Sequence, residues 1–185
     1  VSEVRTDIIV LLNNDMIVDR AFLGPLLRGF SDPSVFAVTS QIFFADKERR
    51  REETGKTRAR FEHGFFYLWH DGIEPQENTA EWIPVFWAGG GSCAIDRRKY
   101  VALGGFDSLY HPFYVEDTDL SYRAQLEGWK FIYLQDVECP AELPVEMTAF
   151  KTQQARWAKG LIQTGKKILP RVLKSDAPLH TKIEA

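Results

Sequence analysis

The feature that most constrains the fold is the unbroken run Ile8-Ile9-Val10-Leu11-Leu12, closed on its carboxyl side by Asn13-Asn14-Asp15. Branched apolar residues with no polar alternation read as a strand covered on both faces, the habit of strands in parallel sheets flanked by helices. The polar cluster then stands at the carboxyl end of that strand, where open α/β sheets bind ligands. Residues 35–44 and 131–134 read as further strands. Asp19 is placed to cap a helix carrying Phe22, Leu23, Leu26, Leu27 and Phe30, with Pro25 tolerable in its first turn. Asp96 is placed to cap a second helix ending at Gly104-Gly105, and a third is expected from about Thr118 to Glu127, stopped by Gly128. The mixed-charge stretch 46–60 reads as an exposed helix or loop. Beyond Pro144, suited to a first helical position, the chain reads as helical to about Leu169. The alternation predicts an α/β domain with a mostly parallel sheet flanked by helices.

A chain of 185 residues can bury a core without staples, and its two cysteines, Cys93 and Cys139, imply no disulfide framework. No stretch approaches the roughly 18 apolar residues of a membrane span. The opening Val-Ser-Glu-Val-Arg-Thr-Asp has no signal-peptide character and reads as the start of a piece cut from a longer protein. Net charge is uneven: residues 1–150 carry −9, whereas 151–185 carry +6. A basic tail on an acidic body fits a phosphate group or an anionic membrane surface, or else a solvated helix face. Trp157, Leu161, Ile168 and Val172 share one helical face, joined by Leu169. A basic amphipathic helix over 157–173 either lies in a membrane interface or packs on the body. Pro170 is expected to kink or end it.

Three constellations carry the chemistry. In Asn13-Asn14-Asp15, a carboxylate flanked by amide oxygens offers hard ligands for Mg²⁺ or Mn²⁺, which would hold a diphosphate; an ordinary Asn/Asp turn is the alternative. In Glu116-Asp117-Thr118-Asp119, three carboxylates crowd a helix start. One can serve as general base toward a hydroxyl, while N-capping by Asp117 or Thr118 accounts for one or two of the acids but leaves Glu116 over. In Gln153-x-x-Arg156-Trp157, an amide, a guanidinium and an indole share a helical face able to grip phosphate and stack on a sugar, although Trp157 alone would serve equally as a core anchor.

Gly89-Gly90-Gly91 allows a backbone to approach a ligand closely, but the G-x-G-x-x-G and Walker spacings are absent. The scattered cysteines and histidines make no zinc site, no G-x-S-x-G elbow is present, and no nucleic acid partner is expected.

Taken in order, Leu12-Asn-Asn-Asp15, Gly104-Gly-Phe-Asp107 with Glu116-Asp117, and Gln153-x-x-Arg-Trp157 resemble the large inverting GT-A glycosyltransferase family that includes the cellulose, chitin, hyaluronan and mannan synthases. The resemblance implies a GT-A-like core over 1–150, incomplete at its amino end, and a helical, potentially interfacial segment over 151–185. It implies a polysaccharide-forming transferase using a nucleotide-sugar donor and a saccharide or lipid-linked acceptor. Asp15 and Asn13 would hold a divalent metal. Asp117 would be the base, with Glu116 beside it, and Gly89, Gly90, Gly91, Gln153, Arg156 and Trp157 would contact substrate. The full-length protein would work at the cytoplasmic face of a membrane, this piece itself being soluble. The first two-thirds look like a soluble rhamnosyltransferase-type branch and the last third like the processive synthases. A missing nucleotide-binding half leaves a non-catalytic sugar- or membrane-binding fragment as the rival reading.

Overall fold

The computed structural model describes residues 5–45, 54–63, 65–73, 82–111, 114–142 and 146–184. Five strands form one sheet in the order β1 (Ile8–Leu12), β6 (Ser92–Asp96), β2 (Val35–Phe44), β7 (Lys130–Ala141), β5 (Ile83–Val85). A separate hairpin pairs β3 (Thr57–Glu62) with β4 (Phe65–His70). The helices are α1 (Leu23–Arg28), α2 (Arg97–Ala102), α3 (Glu116–Leu126), α4 (Met147–Lys174) and α5 (Leu179–Glu184). No helix among the described residues is long and apolar enough to cross a membrane.

The α/β architecture is as the alternation predicts, but the sheet is not mostly parallel. Only β2 and β7 pair in parallel; β1–β6, β6–β2 and β7–β5 are antiparallel. An apolar run reports burial, not the direction of the neighbour that buries it. β6 inserts between β1 and β2 running the opposite way, so β1, β2 and β7 all point in one direction. Their carboxyl ends therefore share one edge of the sheet. β1 is the outermost strand on its side, and Val10 and Leu12 are exposed, so it is not covered on both faces.

The period-2 alternation of side chains divides the core into two layers. Phe131, Tyr133, Cys93 and Ile95 face Leu120 and Ala124 of α3, while Ile132, Leu134 and Ala94 face Phe22 and Leu26 at α1. A Cβ built on Gly29, just beyond α1, would stand 2.5 Å from Cγ2 of the buried Val38, so glycine sets how closely this segment meets the sheet.

Several local expectations need revision. Asp19 accepts from Ala21 N–H at 2.7 Å, capping the turn before α1; the helix itself starts after Phe22. Residues 57–60, expected in an exposed helix or loop, are strand, because Thr57 is drawn into the core; 46–53 lie outside the described residues. Asp96 caps α2 as expected, accepting from Arg98 and Lys99 N–H at 2.8 and 3.2 Å. α4 runs through Pro170 to Lys174 without stopping there, and it passes residue 150 without a break. Pro144 lies outside the described residues.

Candidate active site

The site lies at the shared carboxyl edge of β1, β2 and β7. β1 and β6 are in register with Leu12 opposite Ser92, and the next ladder bond runs from Asn13 N–H to Gly91 O at 2.9 Å. The Asn13–Asp15 turn is thus placed against the glycine turn that feeds β6. A Cβ on Gly91 would lie 3.3 Å from Asn13 Nδ2, so these two chains are already in contact. On its other side the turn is sewn to the end of β7: Glu142 N–H donates to Asp15 O at 2.8 Å and Ile17 N–H to Pro140 O at 2.8 Å. Beneath the glycines, buried Ser92 hydroxyl and carbonyl oxygens meet Ser40 Oγ at 2.6 Å and Thr39 Oγ1 at 3.2 Å, fixing β6 to β2.

The acidic pair enters from α3. This helix begins at Glu116, two residues earlier than expected, so both acids occupy its first turn. Asp117 does not cap it. Its Oδ2 accepts from Gly90 N–H at 3.0 Å, and its Oδ1 from Thr118 N–H at 2.8 Å. Gly90 and Gly91 are adjacent, so one glycine turn holds Asp117 on one side and Asn13 on the other. Asp119 serves a structural purpose: Arg123 grips its Oδ2 with Nε and Nη2 at 2.9 and 2.7 Å and reaches the carbonyls of Leu103 and Gly105.

Val115, which precedes the acids, has φ of 81°. A β-branched residue in the left-handed region is strained, and such strain gathers at functional sites. α4 holds the approach to this residue. Lys167 Nζ donates to the carbonyls of Leu109 and His111, Thr164 Oγ1 donates to Tyr114 O at 3.4 Å, and Trp157 meets Tyr114 edge-on with centroids 6.3 Å apart. Burial raises the Glu116 carboxyl above the ordinary carboxylate range, helped by the neighbouring charge of Asp117 and partly offset by its own backbone N–H. Glu116 Oε2 is buried without a hydrogen-bond partner among the described residues. Burial likewise pushes the Cys93 thiol up, with Asp117 adding to the effect, so Cys93 is inert packing below the site.

Asn13, Asp15, Gly89, Gly90, Gly91, Glu116 and Asp117 are therefore assembled at one sheet edge, and Trp157 is linked to them through Tyr114. Gln153 is half-buried on the same helix and Arg156 is exposed. The expected apolar face of α4 divides: Trp157, Ile168 and Val172 turn partly inward, while Leu161 and Leu169 are exposed together with Ile162 and Leu173. On the inward side, Trp157 and Thr164 contact Tyr114 and Lys167 reaches Leu109 and His111. The roles of Thr164, Lys167 and Val115 had no sequence signal, since neither a loop contact nor a left-handed valine shows in residue spacing.

Residues 8–180 match the family described as glycosyl transferase family group 2. The chain belongs to that family. Among curated relatives, glucomannan 4-beta-mannosyltransferase 1 of Oryza sativa subsp. japonica is 46% identical over 61 residues, 33% of this chain and 12% of that protein. Glucomannan 4-beta-mannosyltransferase 7 of Arabidopsis thaliana is 40% identical over 62 residues, 34% of this chain and 11% of that one. The segment thus spans about an eighth or less of these relatives' length. In fold it resembles GalNAc-T7, solved with UDP, GalNAc and Mn²⁺, with TM-score 0.56 at 17% identity over 76% of this chain and 28% of that one. It also resembles the mannosyltransferase PcManGT of Pyrobaculum calidifontis, solved with GDP-Man and Mn²⁺, with TM-score 0.52 at 19% identity over 96% of this chain and 42% of that one. These likenesses establish a GT-A-type fold.

No group of three or more His, Cys, Asp or Glu side chains gathers among the described residues. The residues present nonetheless fit a divalent ion. Asp15 Oδ1 is buried without a hydrogen-bond partner among the described residues, and Asn13 stands beside it in the same turn. One carboxylate and an amide suit Mg²⁺ or Mn²⁺, which keep waters and phosphate oxygens in their shell instead of a full protein cage.

Proposed function

We propose that this chain is the catalytic part of an inverting, metal-dependent glycosyltransferase. It moves a sugar from a nucleotide-diphosphate donor to a hydroxyl of a carbohydrate or lipid-linked acceptor in polysaccharide formation. Residues 1–150 form the core and 151–185 the helical segment. The reading is carried by the bond from Gly90 N–H to Asp117 Oδ2, which fixes a carboxylate beside the turn bearing Asn13 and Asp15. The acceptor oxygen attacks the anomeric carbon as the bond to the diphosphate breaks on the opposite face, and Asp117 takes the hydroxyl proton. Glu116 stands beside it in the same helical turn, its carboxyl raised above the ordinary carboxylate range by burial. Gly89, Gly90 and Gly91 let the donor approach the backbone. Gln153 and Arg156 supply hydrogen bonds to the diphosphate, and Trp157 stacks on the acceptor sugar. Asp15 and Asn13 would hold the metal, which would supply positive charge to offset that of the leaving diphosphate.

Mannosyltransferase relatives make GDP-mannose the first donor to assay. The exposed stripe of Leu161, Ile162, Leu169 and Leu173, bordered by Lys159 and Lys166, supports adhesion of α4 to the cytoplasmic face of a membrane. Asp117→Asn is expected to keep the fold and Mn²⁺-dependent GDP-mannose binding while lowering transfer by about 10²–10⁴-fold. Calorimetry and transfer kinetics, run side by side, read the two properties separately, and full turnover in the variant would remove the base assignment.

A further inference from the structure

The β3–β4 hairpin takes no part in the mechanism above, yet it carries the largest run of exposed aromatic residues in the described structure. Along β4, Phe65, Tyr67 and Trp69 alternate and so share one face. They are 43%, 45% and 40% exposed. Across from them on β3 stand Glu62, Arg60 and Arg58. The opposite face of the hairpin does most of the anchoring, with Arg58 Nη1 adding a bond to Pro84 O at 2.8 Å. Phe66 packs edge-on against Phe86 and Tyr122, with centroids 5.4 and 5.8 Å away, and His70 packs on Trp87. The outward rings are therefore not needed to hold the hairpin to the body.

Those rings are held in place. Trp69 Nε1 donates to Asp71 Oδ1 at 2.8 Å, and Asp71 Oδ2 takes Arg58 Nε at 2.7 Å. The Arg60 guanidinium lies 5.6 Å from the Tyr67 ring centroid and pairs with Glu62 at 2.9 Å. A contiguous exposed apolar surface rimmed by polar groups marks a binding site. On the inward face, the root of the hairpin is bonded just ahead of the glycine turn: Thr57 Oγ1 donates to Trp87 O at 2.7 Å and accepts from Trp87 N–H at 2.9 Å, two residues before Gly89.

We propose that the outward face of this hairpin, Phe65, Tyr67 and Trp69 with Arg58, Arg60, Glu62 and Asp71, is a saccharide platform that holds the acceptor chain next to the site. A pyranose has C–H faces that stack on flat rings and a rim of hydroxyls that needs both donors and acceptors, and this surface offers both. Its two arginines are matched by two carboxylates, so it has no net attraction for an anionic membrane, unlike the lysine-bordered stripe of α4. The inference rests on the glycosyl-transfer reading, since it supplies that reaction's acceptor.

The test measures mannohexaose and cellohexaose binding to the full chain by calorimetry, with Mn²⁺-dependent GDP-mannose binding measured in parallel. Trp69→Ala and Tyr67→Ala, both on the solvent side, are expected to weaken oligosaccharide binding about tenfold each, the loss typical of one stacked anchor. Trp69→Phe keeps a ring and should stay within about twofold of wild type. GDP-mannose binding should not change in any of the three. Undiminished oligosaccharide affinity in the alanine variants, or no affinity in the wild type, overturns the proposal. So does a defect that appears instead in phosphatidylserine vesicle binding or in self-association by sedimentation. Loss of donor binding in the wild type counts against the transferase reading alone and leaves the platform measurement interpretable.

Discussion

Gly90 donates its backbone N–H to Oδ2 of Asp117 at 3.0 Å, joining residues 27 positions apart in the chain. The bond orients the carboxylate and occupies one oxygen, while Thr118 N–H engages the other. The same glycine turn accepts from Asn13 N–H through Gly91 O at 2.9 Å.

Removing the backbone donor at Gly90 tests the bond. A Cβ on Gly90 meets nothing within 4 Å, so Gly90→Ala is expected to keep the fold and the N–H, and it serves as the reference for loss of that donor. Gly90→Pro lacks the N–H and should reduce turnover by about 10–100-fold, equivalent to roughly 1–3 kcal/mol for an unmade bond to a charged group. Transfer kinetics with both variants check this; equal activity in the two would show that the bond does not matter.

Glu116 gives a pH signature. Its folded carboxyl titrates above the unfolded value, because burial and Asp117 disfavour its charge. The folded state then binds the proton more tightly, so this contribution is complete below the unfolded value and is lost as pH rises through the folded one. Glu116→Gln should remove that loss. Urea melts of both proteins across this range should give a difference that grows with pH in favour of the variant.

Lys167 holds the carbonyls of Leu109 and His111 ahead of the strained Val115. Lys167→Met is expected to raise amide exchange across 108–111 and 114–117 about tenfold while leaving β2 and β7 protected. Unchanged exchange there would mean that α4 does not steady the acidic pair.

Gly29 tests the packing account. Val38 is fully buried and stiff, so the methyl of Gly29→Ala has no room and should destabilise the fold by about 1–3 kcal/mol. Gly165, which has open space around it and a helical backbone, should instead gain up to about 1 kcal/mol as alanine. Thermal or urea denaturation distinguishes these opposite signs.

Much of the molecule is written locally. The span of β2, the Asp96 cap of α2, the glycine stop after α3 and the helical character of α4 follow from spacing and capping chemistry, which act within a few residues. The hairpin escaped because β4 lacks the apolar–polar alternation of an ordinary half-buried strand: aromatic residues occupy both of its faces. Pro170 failed as a terminator because a 28-residue helix can forgo one hydrogen bond when its inner face is packed.

The sequence alone named the candidate residues: the acids at 15, 116 and 117, the glycines at 89–91 and the indole at 157. Only the tertiary structure decided how they meet. Strand direction, the edge position of β1, the left-handed turn at Val115 and the inward rotation of Trp157 depend on hydrogen bonds and contacts between segments dozens of residues apart. Such pairings are set by which surfaces remain to be buried once the local elements exist, and no window of neighbouring residues contains that information.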